Sequence, residues 1–188
     1  MRDEVLIIGC GEIGVSLIEG WLNKKNEFSK RISSIHVLEK NLKRKNFLKK
    51  KYKKKIYFLE INRIKRFKKK FKYVFLSFKP RDLNCNLNLY KNLFDKNTIF
   101  YSVLAGKNLS DVQKIFSVNE NIIRIMLNTP ISVNKGTIIF YSLKKKLNNS
   151  IKIVPITKLY DGIFLNKKPI KIQTVGTIVG NTFAKVFI

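Results

Sequence analysis

Short apolar runs alternate with longer amphipathic stretches along most of the chain. Residues 4–8 form a β-branched apolar run that ends at Gly9, and residues 12–21 then carry apolar side chains at helical spacing. After a polar loop, residues 34–39 form the next apolar run. The pattern therefore predicts a strand, a helix and a second strand, which together make one β-α-β unit.

The same alternation continues to about residue 154. It predicts helices at residues 42–54, near 62–71, after 79–84 to about 94, and from Leu109 with Asn108 as the cap. It predicts further strands at residues 56–59, 73–78, 98–103, 122–126, 137–142 and 151–154. Repeated alternation of strands and helices indicates an α/β fold with a doubly wound, mostly parallel sheet and flanking helices. Such sheets bind ligands at the carboxyl ends of their strands, where the strand order reverses.

Length and composition are those of a folded protein with one domain, or one domain and the start of a second. The chain has 188 residues, of which 45% are hydrophobic. No uncharged apolar stretch approaches the roughly 20 residues of a membrane span, so we expect no membrane association. Two cysteines, Cys10 and Cys85, form no C-x-x-C motif and indicate a reducing compartment. We expect a cytoplasmic protein, because no secretory leader precedes the first apolar run.

The net charge of +27 arises from 39 Lys and Arg against 12 Asp and Glu. Most of the cations are lysines spread through the chain, rather than the arginines that read bases with two hydrogen bonds. We interpret them mainly as solvated faces and AT-rich codon usage, with polyanion binding as the alternative. Nucleic acid is therefore not the partner that the pattern favours. Such a surface would attract a phosphate-bearing cofactor, and salt would screen that attraction.

His36 is the only histidine and lies in a predicted strand. Because this histidine lies inside a strand, we exclude a triad that depends on it, and a single histidine excludes metal sites with several histidines. We therefore predict no metal site and interpret His36 as a strand residue without a catalytic task.

The stretch GCGEIG follows the first predicted strand and opens the first predicted helix, which is the context that a G-x-G-x-x-G motif requires. In this Rossmann-type arrangement Gly9 permits a tight turn, Gly11 permits close approach of a pyrophosphate, and Gly14 permits close packing of helix on strand. The helix N-terminus favours the phosphates. The predicted cradle consists of Gly9, Cys10, Gly11, Glu12, Ile13 and Gly14.

The end of the second predicted strand leaves the choice of nicotinamide cofactor open. Glu39 favours NADH, because a carboxylate there accepts a hydrogen bond from the ribose 2′-hydroxyl and repels a 2′-phosphate. Lys40, Lys43 and Arg44 follow it and could neutralise a 2′-phosphate. An ordinary surface role for Lys43 and Arg44 is the alternative.

Three further stretches sit at the ends of later strands: FLSFKP at residues 75–80, SVLAG at 102–106 and RIMLNTPISVNKG at 124–136. With the glycine motif, they resemble the ordered motifs of pyrroline-5-carboxylate reductase: G-x-G-x-M-G, V-K-P, A-G and R-x-M-P-N-T-P. Order and spacing agree over about residues 4–142. Ile13 stands in place of the family's Met, and Leu127 in place of its Pro.

The resemblance implies an oxidoreductase of proline biosynthesis that reduces 1-pyrroline-5-carboxylate to L-proline with NADPH or NADH. It implies cofactor contacts at the glycine motif and at Asn62, Phe78, Lys79, Pro80, Ala105 and Gly106. It further implies that Asn128 and Thr129 lie beside the substrate. A turn without a binding role is the alternative for this Asn-Thr-Pro segment. Neither the motifs nor the resemblance assigns a catalytic residue.

The C-terminal stretch departs from that family, in which an all-helical dimerisation domain follows. Residues 173–188, QTVGTIVGNTFAKVFI, align with the first residues of that domain but lack its polar side chains. No S-P-G-G-T-T segment occurs in the chain. We expect a nucleotide-binding domain at residues 1–165 and the start of a helical domain at residues 166–188. Homo-oligomers are typical of the family but are not expected without that domain. A nucleotide-binding module without turnover is the alternative function.

Overall fold

A computed structural model describes residues 3–23, 32–82, 87–116, 121–133, 135–142 and 158–159. The strands are β1 (Asp3–Ile8), β2 (Ile32–Leu38), β3 (Tyr57–Phe58), β4 (Tyr73–Leu76), β5 (Ile99–Ser102), β6 (Ile122–Leu127), β7 (Thr137–Ser142) and β8 (Lys158–Leu159). The α-helices are α1 (Glu12–Leu22), α2 (Leu42–Tyr52) and α3 (Leu109–Phe116). Within these ranges, five 3-10 helices span Lys53–Lys55, Ile61–Arg66, Pro80–Asp82, Leu87–Leu93 and Thr129–Val133. The predicted strand at 151–154 and the predicted helical segment at 166–188 lie outside the described residues.

The eight strands form one sheet in the order β3-β2-β1-β4-β5-β6-β7-β8. All pairs from β3 to β6 are parallel, β6 and β7 are antiparallel, and β7 and β8 are parallel. The chain moves outward from β1 through β2 to β3 and then returns to place β4 on the other side of β1. The structure thus confirms the doubly wound, mostly parallel sheet, and its strand order reverses between β1 and β4.

The sheet is buried on both faces. Val5 and Ile7 of β1 pack in one apolar cluster with Trp21 of α1, whereas Leu6 and Ile8 pack in a second cluster. Each of these four side chains of β1 is at most 4% exposed. Alternate residues of a strand point to opposite faces, so a continuous apolar run is what a strand covered on both faces requires.

The cap of α3 agrees with the sequence prediction. The Asn108 side-chain oxygen accepts a hydrogen bond from the Asp111 backbone N–H at 2.8 Å. The Asp111 carboxylate in turn accepts one from the Asn108 N–H at 3.0 Å. This reciprocal pair satisfies N–H groups that a helix start leaves without an intrahelical acceptor.

Two predicted helices differ from the structure. The basic one near 62–71 is a 3-10 helix that ends at Arg66, and the one predicted to end near residue 94 is described as Pro80–Asp82 and Leu87–Leu93, both 3-10 helices. Five cations among residues 65–70 repel one another on a helix. Leaving the helix brings Phe71 into the core, where its N–H donates to the Leu93 carbonyl at 2.8 Å.

His36 lies in β2, as predicted. Its ring stacks on Tyr57 at 5.2 Å and contacts the edge of Phe71 at 4.9 Å between ring centroids. Its Nε2 is 3.0 Å from the Ser34 hydroxyl. These contacts are those of a packed strand residue.

Candidate functional site

Each predicted site stretch follows one of the six parallel strands. Because the carboxyl ends of parallel strands meet at one edge of a sheet, all of these stretches lie along that edge. The glycine turn follows β1, Glu39 and Lys40 follow β2, Asn62 follows β3, Phe78 to Pro80 follow β4, Ala105 and Gly106 follow β5, and Asn128 and Thr129 follow β6.

Gly9 makes the tight turn at the end of β1. Its φ is +76°, a left-handed conformation that favours glycine. A Cβ at this position would lie 2.5 Å from the Phe78 Cβ and 2.6 Å from its Cα. The Gly9 carbonyl also accepts a hydrogen bond from the Ser77 hydroxyl, and its N–H donates to the Leu38 carbonyl at 2.8 Å. Gly9 is therefore the point where the ends of β1, β2 and β4 meet.

Gly11 and the start of α1 face open space. A Cβ on Gly11 would meet no atom of the described residues within 4 Å. Gly11 is the N-cap of α1, and no described side chain bonds the first N–H groups of this helix. Unpaired N–H groups and the positive end of the helix dipole favour an anion at this position. The space above Gly11 can therefore admit a phosphate close to the backbone.

Gly14 packs the first turn of α1 closely on the strand ends. A Cβ here would lie 3.1 Å from both the Cys10 sulfur and the Ser77 hydroxyl oxygen. Burial raises the pKa of the Cys10 thiol to about 12, so the thiol is protonated and unreactive at neutral pH. Gly9 thus makes a tight turn and Gly14 a close contact, and the role of Gly11 toward a pyrophosphate stays a prediction.

Glu39 is bonded to the glycine turn itself. One carboxylate oxygen accepts a hydrogen bond from the Cys10 N–H at 2.7 Å, and the other accepts one from the Asn41 N–H at 2.8 Å. The sequence favours a ribose hydroxyl as the partner of this carboxylate but leaves the choice of cofactor open. Within the protein, both oxygens already join the end of β2 to the turn after β1 and to the start of α2.

Arg44 contacts the glycine turn and the start of α1, which the sequence pattern alone does not reveal. Its Nε donates to the Cys10 carbonyl at 2.9 Å, and its Nη2 donates to the Glu12 carboxylate at 3.0 Å. Asn41 caps α2 by accepting from the Arg44 N–H at 2.9 Å, which fixes the turn that carries this side chain. The available signal was an arginine among lysines, because only a guanidinium can bridge two acceptors with a planar fork.

A small cleft opens between the carboxyl ends of β1, β2 and β4, which is the point where the strand order reverses. Its lining includes Gly9, Glu39, Lys40, Phe78, Asp82 and Tyr90. Tyr90 is buried, and the Lys40 ammonium lies 6.0 Å from the centre of its ring. The sequence pattern alone does not indicate that Asp82 and Tyr90 line this cleft.

The predicted residues after β4 and β3 are less enclosed. Lys79 is exposed, and its carbonyl accepts from the Asp82 N–H at 2.8 Å, which closes the turn that Pro80 begins. Asn62 is exposed in the 3-10 helix after β3 and does not line the cleft.

The residues after β5 and β6 form a second, more open part of the edge. Ala105 and Gly106 make an exposed turn, with a φ of +68° at Gly106. Asn128 and Thr129 are exposed and lead into the 3-10 helix Thr129–Val133, which packs against α1. The predicted turn at the Asn-Thr-Pro segment is therefore present.

Buried packing fixes the position of that turn. Ile131 is fully buried, and a Cβ on Gly136 would overlap its side chain and lie 2.7 Å from its backbone nitrogen. The Asn128 carbonyl accepts from the Ile131 N–H at 3.3 Å. The chain thereby carries Asn128 and Thr129 to the side of the sheet that holds α1.

Within the described ranges, His, Cys, Asp and Glu side chains form no group of three or more that could hold a metal ion. No helix of the described residues is long and apolar enough to cross a membrane.

No family model matches the sequence, and the search of curated proteins gave no match. Solved structures do match. The chain is similar to pyrroline carboxylate reductase from Plasmodium falciparum with NADP bound, at a TM-score of 0.60 and 19% identity over 84% of this chain and 57% of that one. It is also similar to the Coxiella burnetii pyrroline-5-carboxylate reductase, at a TM-score of 0.64 and 20% identity over 89% of this chain and 60% of that one.

A third match is prephenate dehydrogenase from A. aeolicus in complex with hydroxyphenyl propionate and NAD+, at a TM-score of 0.62 and 14% identity over 87% of this chain. The chain spans 57–60% of the length of these three structures. Identities of this size show the fold alone, a Rossmann-type α/β fold that the chain shares with these three structures.

Proposed function

We propose that this chain binds a nicotinamide dinucleotide across the edge between β1 and β4, and that it serves the reduction of 1-pyrroline-5-carboxylate to L-proline. The observation that carries the proposal is the glycine turn: Gly9 to Gly14 follow β1 at the position where the strand order reverses. Pyrroline-5-carboxylate reductases are among the structures with this fold that the chain resembles.

The residues present fit the pyrophosphate of such a cofactor. The open space at Gly11 and the unbonded start of α1 are what a diphosphate needs, since its oxygens accept hydrogen bonds from backbone N–H groups. The adenosine half would lie in the cleft beside Glu39, Lys40 and Tyr90. The high positive charge of the chain adds a general attraction for the phosphates.

The nicotinamide half would extend along the edge toward β5 and β6. Lys79 and Pro80 lie on the β4 side of this path, and Ala105 and Gly106 lie on its β5 side. A backbone turn without bulky side chains lets a flat ring approach closely. Asn128 and Thr129 supply amide, carbonyl and hydroxyl groups at the next strand end, where they can hydrogen-bond a small polar substrate.

A bound reduced nicotinamide would supply the hydride that reduces the carbon of the imine C=N bond. The imine nitrogen takes one proton, and the products are L-proline and the oxidised cofactor. The part of the chain described here holds and orients the cofactor, and the exposed turn at Asn128 borders the space for the imine. Positioning of this kind is what converts a slow encounter into a fast reaction within a complex.

The direct experiment adds 1-pyrroline-5-carboxylate to the purified chain with NADH and with NADPH in separate assays. We expect loss of the reduced-nicotinamide absorbance together with an equal amount of L-proline, and no loss without the imine. Binding of a dinucleotide without turnover would contradict the reductase assignment. Absence of both would overturn the whole proposal.

The second candidate is a nucleotide-binding module without turnover. It is favoured by one observation: the cleft lies at the ends of β1, β2 and β4, whereas the turns after β5 and β6, where the imine would lie, are exposed. The same assay separates the two candidates, because the module binds NADH or NADPH but consumes neither when the imine is added.

A further inference from the structure

The Cys10 peptide units are held from two sides by charged side chains. The N–H of Cys10 donates to the Glu39 carboxylate at 2.7 Å, and the carbonyl of Cys10 accepts from the Arg44 guanidinium at 2.9 Å. Cys10 lies between Gly9 and Gly11, whose lack of side chains leaves this part of the backbone free to move if nothing holds it. We call Glu39 and Arg44 the Cys10 clamp.

Both arms of the Cys10 clamp are themselves fixed at the start of α2. Glu39 accepts a second hydrogen bond from the Asn41 N–H, and the Asn41 side chain caps α2 by accepting from the Arg44 N–H. The clamp therefore couples the turn after β1 to the turn after β2. These two turns border the cleft in which the adenosine half is proposed to lie.

We propose that Glu39 and Arg44 are positioning residues, which set the glycine turn for the pyrophosphate, and that Glu39 is not the group that distinguishes NADH from NADPH. This inference rests on the proposed function for the identity of the ligand. It differs from the usual assignment for a carboxylate at the end of the second strand, where the ribose 2′-hydroxyl is the partner.

The hydrogen bonds support a positioning role for Glu39. Its two oxygens accept from the Cys10 and Asn41 N–H groups, so its carboxylate joins the two turns. Since the Cys10 N–H is committed to Glu39, the phosphates are left with the N–H groups at the start of α1. A helix start leaves those groups without a backbone acceptor.

Arg44 has an additional electrostatic effect. Glu12 lies in the first turn of α1, and its carboxylate is 79% exposed beside the position proposed for the pyrophosphate. A free carboxylate there would repel the phosphates, and the Arg44 guanidinium pairs with it at 3.0 Å. One side chain thus holds the Cys10 carbonyl and pairs with the negative charge of Glu12.

NADH and NADPH differ only at the ribose 2′ position, so their ratio of affinities separates the two roles. If Glu39 positions the turn, Glu39→Gln weakens both cofactors in parallel, by about tenfold, the usual worth of a charge-assisted hydrogen bond. A glutamine side chain has one accepting oxygen and cannot keep both backbone bonds. If Glu39 instead reads the ribose, the same variant shifts the NADH to NADPH ratio by that factor, which would overturn the proposal.

Arg44→Lys tests the other arm. Lysine keeps the positive charge but lacks the planar fork that reaches both Cys10 and Glu12. We expect parallel weakening of both cofactors, again by about tenfold. Full retention of affinity would show that charge alone matters and would contradict the clamp. Lys50→Gln, an exposed cation on the same helix, is the matched control and should change neither affinity.

A measurement on the free protein tests the clamp without any cofactor. In the wild-type chain the Cys10 amide proton should resonate downfield and exchange slowly with solvent. In Glu39→Gln it should move upfield and exchange faster, by at least about tenfold. Unchanged shift and exchange would overturn the clamp. If Glu39→Gln does not fold, Glu39→Asp, whose shorter side chain cannot reach both N–H groups, takes its place.

The experiments distinguish a failure of the proposed function from a failure of the Cys10 clamp. If the wild-type chain binds neither NADH nor NADPH, the proposed function is wrong, and the amide experiment still decides whether Glu39 and Arg44 hold the turn. If the wild-type chain binds a cofactor and the variants change only the NADH to NADPH ratio, the proposed function stands and the clamp is wrong.

Discussion

Gly9 and Phe78 are in direct contact across the ends of β1 and β4. A Cβ on Gly9 would lie 2.5 Å from the Phe78 Cβ and 2.8 Å from its backbone nitrogen. The glycine is therefore required by the neighbouring strand as well as by its own φ of +76°. This contact closes the turn on the side of β4, while the opposite side of the turn, at Gly11, remains open.

Gly9→Ala should destabilise the fold, because the Cβ must displace the Phe78 backbone and alanine is strained at a positive φ. We expect a loss of about 2–4 kcal/mol in the free energy of unfolding, as the sum of strain and overpacking. Urea unfolding measures it. Gly11→Ala is the matched control and should lose less than about 1 kcal/mol, since its Cβ enters open space. Equal losses in the two variants would be incompatible with the geometry.

The aromatic core beneath the site gives a second prediction. Phe75 is fully buried, with its ring stacked on Tyr101 at 4.5 Å and in edge contact with Trp21 at 5.0 Å. Phe75→Ala should cost about 3–5 kcal/mol of folding stability. The exposed Phe47 on α2 offers the comparison, and Phe47→Ala should cost less than about 1 kcal/mol. Thermal or urea unfolding of both variants measures the two losses, and equal losses would contradict the prediction.

The turn that carries Asn128 and Thr129 depends on Gly136. Gly136→Ala should push Ile131 out of its buried position, since the new Cβ would overlap that side chain. Under the proposed function we expect the KM for the imine to rise by at least about fivefold, roughly 1 kcal/mol, with little change in cofactor affinity. Steady-state kinetics and a cofactor titration separate the two effects. An unchanged KM would mean that this turn does not border the substrate.

His36 should make the stability depend on pH. Burial lowers the pKa of His36 from its ordinary value of 6.5; the Glu4 carboxylate opposes this shift and Lys69 adds to it. Protonation would also place an N–H on Nδ1, a buried atom that has no hydrogen-bond partner among the described residues. The unfolded chain therefore takes up its proton at a higher pH than the folded chain does. The histidine contribution is complete above about pH 6.5 and is lost as the pH falls below it.

Urea unfolding at several pH values between about 7 and 5.5 measures this effect, in a range that lies above the ordinary carboxylate pKa. His36→Gln, which does not titrate, is the control and should show a flatter profile over the same range. A wild-type stability that stays constant or rises as the pH falls would contradict the burial of a neutral His36.

The order of strands and helices could be predicted from the sequence because it depends on local periodicity. Strand β1, the glycine turn and α1 follow from the apolar run, Gly9 and the change to helical spacing at residues 12–21. The Asn108 cap was also predictable, since the cap and Asp111 are three residues apart. The 3-10 helix ending at Arg66 was not, because burial of Phe71 against Leu93 overrides the helical spacing.

The charged contacts of the site could not be predicted for a related reason. Glu39 and Arg44 bond Cys10 although they lie 29 and 34 residues away in the sequence. They reach Cys10 only when β1 and β2 pair. The sequence indicated the residue types at the strand ends. Their partners depend on the register of the sheet and on the cap of α2.

The central claim is that a nicotinamide dinucleotide binds over the open glycine turn, and titration of NADPH and NADH into the wild-type chain and Gly11→Ala tests it most directly. We predict that the wild-type chain binds at least one of them. Gly11→Ala should stay folded and bind at least about tenfold more weakly, because its Cβ occupies the space that the pyrophosphate needs. A wild-type chain that binds neither cofactor, or a folded Gly11→Ala that binds equally well, would contradict the account.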